Sequence, residues 1–600
     1  MMMKLSEEQG NAVYYKGNTY VTACPGSGKT RALTAKLSLE MSQLSSLSEK
    51  VLAVTYTNRA ADEIKYRIEQ DENYDSKKLW AGTIHSFALE WIIRPYAGYL
   101  EQLNNGYVVA DEYETKKIIS QLKQDKGMSY FDDVNTSYSR SGNVHNLSLK
   151  AREVEREYRG ILTQRKKIDF DQALYFAYTI LKSKPEIAKT LGAIFRLFCI
   201  DEVQDTQDLQ YAILSKIHND SLVKPNLFIV GDINQAIYEN IGGVSKTLSE
   251  LNQEFEHGNL VHFGFSDNYR STQRLTDYFS YFRNTQGILS KADHADESGK
   301  IVFSNQEIDK QDLADIIANI VQDEVNSGVA ESEICIIAPQ WSPIRSLTKK
   351  LINLLPNVKF DAPSLSPFYG QQDNFWLTVS KLALTIPSGR LFSTRVRWAN
   401  EVIANLNESF HKMKDISAKK LLMIINSFNT DTLTGTVYLD ECFKYLLSEL
   451  EIELEIELEI ELEIELEIDI NLAESHSLFF EKAAKNMEIS KGEYENDIDV
   501  FRGFFSESAG VVVNSCHGVK GEEYETVIAF GMLKGFVPHW SDIIGKPDSV
   551  ANNSESKMMY VIASRAKKNI YLIAERGRQT KTRRPYETSS LLKNYNYAYD

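Results

Sequence analysis

Short apolar runs, each closed by a polar loop, recur along the 600-residue chain: Thr19–Thr22, Val51–Thr55, Phe195–Ile200, Leu227–Val230, Val261–Phe265, Ile334–Ala338, Val511–Asn514 and Val527–Phe530. Their length and apolar character predict buried strands. Many are followed by helical periodicity, as in Arg31–Leu37 and Ala60–Ile68. Strand–helix alternation of this kind builds parallel sheets covered by helices, and ligands gather at the carboxyl ends of the strands. Two such groups stand on either side of residue 275, each interrupted by a long stretch of helical pattern. The expected organisation is therefore one sheet domain from 1–87 and 165–275 with an insertion at 88–164. A second runs through 276–385 and 506–600 with a shorter insertion at 386–505. The fold class is α/β.

One segment breaks the rhythm. From Glu449 to Leu472, Glu alternates with Ile and Leu, giving ten Glu and one Asp without a basic residue. A strand would carry like charges along one face, and a helix would spread the apolar residues around its circumference. A simple repeat in a tolerant loop is expected, with an acidic mimic that keeps DNA off a surface as the other reading. The repeat also distorts the charge: the net value is −16, but −5 without it. That mild acidity does not exclude a polyanionic partner, which needs a basic groove and not a basic whole. Arg576, Arg578, Lys581, Arg583 and Arg584 make one local basic patch, or a solvated tail.

The five cysteines lie far apart without CxxC spacing, which excludes a zinc ribbon or a disulfide frame. No uninterrupted apolar stretch reaches membrane-spanning length, and Met1-Met2-Met3-Lys4 does not open a signal peptide, so a cytoplasmic setting is expected.

Chemistry enters at residues 23–30. Ala23, Cys24, Pro25, Gly26, Ser27, Gly28, Lys29 and Thr30 follow a strand and open a helix, the pattern of a loop whose backbone N–H groups surround phosphate oxygens. Lys29 would neutralise β/γ charge and Thr30 would ligand Mg²⁺. At the end of a later strand, Asp201 would hold the same metal and Glu202 would orient and deprotonate the attacking water.

Further segments follow in order: Leu5–Gln9, Thr55-Tyr56-Thr57-Asn58-Arg59-Ala60-Ala61, Gly82-Thr83-Ile84-His85-Ser86-Phe87, Asp169-Phe170-Asp171, Asp201–Thr206, Val230–Tyr238, Asn268-Tyr269-Arg270-Ser271, His517–Tyr524 and Tyr560–Ala566. This series strongly resembles the UvrD/Rep/PcrA group of superfamily 1 DNA helicases over nearly the whole chain. The resemblance implies two RecA-like P-loop domains with ATP and Mg²⁺ between them. It implies that Gln9 reads adenine, that Tyr269 and Arg31 pack on the base, and that Glu523 accepts from the ribose. Gln235 would sense the γ-phosphate, and Arg270 and Arg565 would act as arginine fingers. Tyr56, Thr57, Asn58, His85 and His517 would grip single-stranded DNA.

Two departures bear on that grip. Where the group carries an aromatic-Arg-Gly segment, this chain has Glu239-Asn240-Ile241-Gly242-Gly243, and its second insertion is short. The expectation is an ATP-driven 3′ to 5′ translocase and helicase acting on single strands and duplex junctions in repair or anti-phage defence. The alternative is a DNA-sensing regulatory ATPase that controls an OLD-type nuclease, because compact relatives serve as the helicase-like subunit of the Gabija anti-phage system.

Overall fold

The computed structural model describes all residues except 1–4, 47, 71–74, 105, 130–131, 147, 238–241, 257, 284, 286, 372–373, 389–390, 410–415, 451–465, 490–495, 506–509 and 581. The segment at Glu239–Ile241 and most of the Glu-Ile-Glu-Leu repeat therefore lie outside the described residues. The repeat enters the described chain within helix Gly435–Glu449 and leaves it within helix Leu466–Ile489.

Six strands form the first sheet: β1 (Thr19–Ala23), β2 (Lys50–Thr55), β3 (Leu79–Thr83), β4 (Phe195–Ile200), β5 (Asn226–Gly231) and β6 (Val261–Phe265). Their spatial order is β3-β2-β4-β5-β1-β6 and every pairing is parallel. Six more form the second: β7 (Lys300–Asp309), β8 (Ile334–Ala338), β9 (Phe360–Asp361), β10 (Val511–Ser515), β11 (Tyr524–Phe530) and β12 (Ala566–Arg576). Their order is β7-β12-β11-β8-β10-β9, again parallel throughout.

Most of the apolar runs are continuous because both faces of the sheet are covered there; Val261–Phe265, expected to be buried, is instead an edge strand with Val261, His262 and Gly264 exposed and only Phe265 buried. Successive side chains point to opposite faces. Val21, Val51, Ala53, Leu197, Cys199, Phe228 and Val230 enter one core, while Tyr20, Leu52, Val54, Phe198, Ile200, Leu227 and Ile229 enter another. The second sheet divides in the same way: Cys335, Ile337, Val527 and Ala529 face one core, and Ile334, Ile336, Ile528 and Phe530 the other. Each fully buried aliphatic side chain contributes about 1.5–3 kcal/mol, so a polar substitution in any of these strands exposes two packed layers to failure.

Helical segments interrupt both sheets. Glu112–Asp125 and Leu149–Gln164 lie between β3 and β4, and among the described residues five helices between Phe375 and Ile489 lie between β9 and β10. Helix Gln273–Arg283, which spans the position dividing the two sequence groups, packs Leu275, Tyr278 and Phe279 into the second sheet's core. The first sheet presents the carboxyl ends of β1, β4 and β5 to a gap whose other side is formed by residues that immediately precede β11 and β12.

Candidate nucleotide site between the two sheets

Helix α1 (Glu7–Tyr14) begins with a capping box in which Ser6 and Gln9 satisfy each other's backbone N–H groups. The Gln9 carboxamide also donates to the Ser27 carbonyl at 2.8 Å. It is buried and ties α1 to the phosphate loop, so the adenine reading expected of it requires those bonds to be shared or exchanged.

The loop itself runs from β1 into α2 (Lys29–Gln43). Gly26 and Gly28 have φ of +71° and +79°, left-handed values that favour glycine. Space adds a second reason: a Cβ on Gly26 would stand 2.6 Å from the Arg270 Cβ, and one on Gly28 would stand 2.6 Å from the Gln9 Nε2. Asn268 pins the loop from outside by donating to the Pro25 carbonyl at 2.7 Å and accepting from the Arg270 and Ser271 N–H groups at 2.8 and 2.7 Å. The Tyr269 N–H donates to the Gly26 carbonyl at 2.8 Å. Ala23 ends β1 in the core, and the Cys24 N–H bonds the Phe265 carbonyl at 3.1 Å. Burial pushes the Cys24 thiol up to about 12, which makes it a packing residue and not a nucleophile. Arg31 and Tyr269 border the loop and remain exposed.

The Lys29 ammonium lies 3.5 Å from the Glu202 carboxylate. Burial opposes its charge, but Glu202, Asp232 and Asp201 outweigh burial and raise its pKa. Asp201 and Glu202 move apart. Burial and the Glu202 charge push the Asp201 carboxyl up, whereas Lys29 and Lys520 overcome burial and hold Glu202 down. Glu202 sits at φ +52°, an uncommon backbone position for a residue with a side chain. Asp201, Glu202 and Asp232 bring hard carboxylate oxygens beside Lys29, a donor type that fits Mg²⁺. Among the described residues no His, Cys, Asp and Glu group forms a metal cage, and Mg²⁺ needs none, because it takes one or two carboxylates together with substrate phosphates.

A chain of side chains carries this centre across the gap. Gln204 donates to Glu202 and accepts from the Asp232 N–H at 3.0 Å. Gln235 donates to Asp232 at 2.8 Å and accepts from Arg565 at 2.8 Å. Arg565 is held by three more bonds, to the Val561 and Glu522 carbonyls at 3.1 and 3.2 Å and to the Ser564 hydroxyl at 3.0 Å. Burial, then the Arg270 charge, pull its pKa down to about 10, which leaves it cationic at neutral pH. Arg270 bonds the Glu523 carboxylate at 2.7 Å and the Ser564 carbonyl at 2.9 Å. The finger and the expected ribose acceptor are therefore paired with each other.

Lys520 is the residue that sequence reasoning quoted without assigning. It forms a buried ion pair with Asp205 and donates to the Gln235 carbonyl at 2.7 Å, joining the second sheet to the loop after β4. The signal was its place two residues before Glu522-Glu523.

The expected DNA contacts divide. Tyr56, Asn58 and His85 line one cavity of about 510 Å³ with Asp201 and Glu202, bounded further by Phe170, Gln207 and Gln210. Burial lowers the His85 pKa to about 4 and keeps the ring neutral. Thr57 caps helix α3 (Asn58–Glu69) by accepting from the Ala60 N–H at 3.2 Å. His517 is on the second sheet, after β10, and does not line that cavity.

A phosphate loop after β1, an acid pair at the end of β4, one strand removed from it, and two arginines beside them are the arrangement of a two-sheet P-loop nucleotide-binding protein. Residues 5–256 match the UvrD/REP helicase N-terminal domain. The chain is similar to the ATP-dependent DNA helicase PcrA of Leuconostoc citreum, 23% identical over 95% of this chain and 81% of that protein. The ATP-dependent DNA helicase UvrD1 of Mycobacterium leprae is also 23% identical, over 95% and 82%. The ATP-dependent DNA helicase srs2 of Schizosaccharomyces pombe is 28% identical over 46% of this chain and 34% of that protein. The chain is thus similar over most of its length to UvrD- and PcrA-like ATP-dependent DNA helicases, which are enzymes. No helix among the described residues is long and apolar enough to cross a membrane.

Proposed function

We propose that the chain is an ATP-driven motor that moves 3′ to 5′ along single-stranded DNA and displaces the complementary strand. The observation that carries this reading is the 2.8 Å hydrogen bond from Arg565 on the second sheet to Gln235 on the first, within the network of Lys29 and Glu202. A triphosphate on the loop would meet cations from both sheets. Lys29 would lie along its β/γ oxygens, and Arg270 and Arg565 would exchange their present acceptors for the transferring phosphoryl group. Mg²⁺, held by Thr30 and Asp201, would supply further charge neutralisation. Glu202 would orient and deprotonate the attacking water, and Gln235 would register its presence. Loss of the γ-phosphate removes the anion shared by the two sheets, so hydrolysis becomes relative motion.

Tyr56, Thr57, Asn58, His85 and His517 would hold the strand by stacking and phosphate contacts. The direction of travel is the one the family resemblance implies, and the setting we propose is the cytoplasm, in repair or anti-phage defence. The test is strand displacement on duplexes with a 3′ or a 5′ single-stranded tail, measured beside DNA-stimulated ATPase. Displacement from the 3′ tail alone supports the motor. Stimulated ATPase without displacement on either substrate replaces it with a sensor that regulates a partner nuclease, and ATPase indifferent to DNA overturns both.

A further inference from the structure

Arg59 follows directly on the Tyr56-Thr57-Asn58 segment, in the first turn of α3, and its guanidinium pairs with the Glu522 carboxylate on the second sheet. The Arg59 side chain is 75% exposed, whereas that of Glu522 is 13% exposed. The pair is therefore open to competition from one side only. The other Glu522 oxygen receives the hydroxyl of buried Tyr524, which fixes the carboxylate in the loop between β10 and β11.

That loop holds much of the second sheet's contribution to the nucleotide site. The Glu522 carbonyl accepts from Arg565 at 3.2 Å, the Glu523 carboxylate accepts from Arg270 at 2.7 Å, and Lys520 bonds Asp205 and the Gln235 carbonyl. With the loop in this position Arg270 spends its Nε on a carboxylate and its Nη1 on the Ser564 carbonyl. The same helix α3 continues to Asp62, which pairs with Arg397 of the second helical segment at 2.7 Å. One short helix thus touches the expected path of the strand, the loop behind both fingers and the second insertion.

We propose that the Arg59–Glu522 pair is a latch that single-stranded DNA opens: a backbone phosphate takes Arg59 from Glu522, and the freed loop releases Arg270 for the nucleotide. This rests on the reading of Tyr56–Asn58 as a DNA contact. Phosphate suits the exchange because an arginine fork donates to carboxylate and phosphodiester oxygens with the same bidentate geometry. A surface-accessible pair is also weak enough to be displaced. Arg59 and Glu522 act through Arg270 and are positioning residues.

The experiment measures ATPase of the full chain with and without an unstructured oligodeoxythymidylate. Glu522→Gln removes the charge at nearly constant shape and is expected to raise DNA-independent turnover by about two- to five-fold, the range an exposed ion pair commands. The DNA-saturated rate should not change, so the stimulation ratio falls by the same factor. Arg59→Ala, on an exposed side chain that leaves the core alone, should raise the basal rate similarly and increase the DNA concentration needed for half-stimulation. The exchange Arg59→Glu with Glu522→Arg should restore the low basal rate while weakening the response, because the carboxylate then on α3 repels phosphate. Unchanged basal rates in both single variants, in a protein whose wild type is stimulated, overturn the latch. A wild type that DNA does not stimulate overturns the DNA-motor reading itself and the latch with it.

Discussion

Replacing Arg565 by alanine separates a catalytic cation from a structural one. The side chain is 2% exposed and donates four hydrogen bonds, three of them to groups of its own sheet and one across the gap to Gln235. If it serves as a finger, the loss falls on the transition state. Arginine fingers are worth about 10³ or more in turnover, or roughly 4 kcal/mol at 1.36 kcal/mol per decade. The Ser564 hydroxyl keeps its own bond to the Val561 carbonyl at 3.0 Å, while the Gln235 carboxamide oxygen loses its partner at about 1–3 kcal/mol. Stability should therefore fall by much less than catalysis. Steady-state ATPase at saturating DNA, paired with fluorescent-nucleotide binding and a thermal melt, measures all three. We expect kcat to drop about a thousand-fold with nucleotide affinity changed by less than about ten-fold, since a cation that acts mainly on developing charge contributes little to ground-state binding. Arg565→Lys should recover only part of the loss, because one ammonium cannot serve the Gln235 side and the loop side together. A variant with near-normal kcat, or one whose entire defect is in nucleotide binding, refutes the sandwich of triphosphate between the sheets.

Lys29→Ala and Glu202→Gln should each abolish turnover while leaving the melting curve close to that of the wild type, and retained hydrolysis in both removes the assigned site. Tyr56→Ala should raise the DNA concentration for half-maximal stimulation several-fold without altering basal ATPase, at about 1–3 kcal/mol for a stacked base; an unchanged titration assigns Tyr56 to packing alone. Glu254 tests stability against pH. Burial resists its charge, but bonds from Arg140 at 2.9 and 3.0 Å, Lys246 at 2.5 Å and Ser215 at 2.7 Å hold its carboxyl down to about 2. A depressed folded-state pKa stabilises above the unfolded value of about 4.3 and loses that contribution as pH falls toward 2. Glu254→Gln should therefore melt lower at pH 7, by about 2 kcal/mol, with the gap closing below about pH 4; a gap that persists there assigns the effect to shape.

The eight apolar runs all became strands of the two sheets, seven of them because parallel strands covered on both faces leave an unbroken hydrophobic signature, whereas Val261–Phe265 forms an exposed edge. The strands that escaped notice lack it. Lys300–Asp309 and Ala566–Arg576 begin or end in charged residues, Leu79–Thr83 contains Trp and Gly, and Phe360–Asp361 is two residues long. Motif reading singled out the candidate nucleotide residues because phosphate chemistry restricts both residue type and spacing. It could not find how they pair with one another in the absence of phosphate. Arg270 with Glu523, Lys520 with Asp205 and Arg59 with Glu522 join residues more than 250 positions apart, and no local pattern encodes such a distance.

The pins on the phosphate loop have a consequence for how the protein is made. β1 lies between β5 and β6, and the loop that follows it is held by Asn268 and Tyr269. A nascent polypeptide emerging from the ribosome can thus have its glycine-rich turn synthesised early and yet lack a shaped cradle until some 240 further residues have been added. Truncation at residue 256 would strip β1 of a neighbour and leave the turn unfastened, so such a fragment should bind nucleotide poorly however intact its signature.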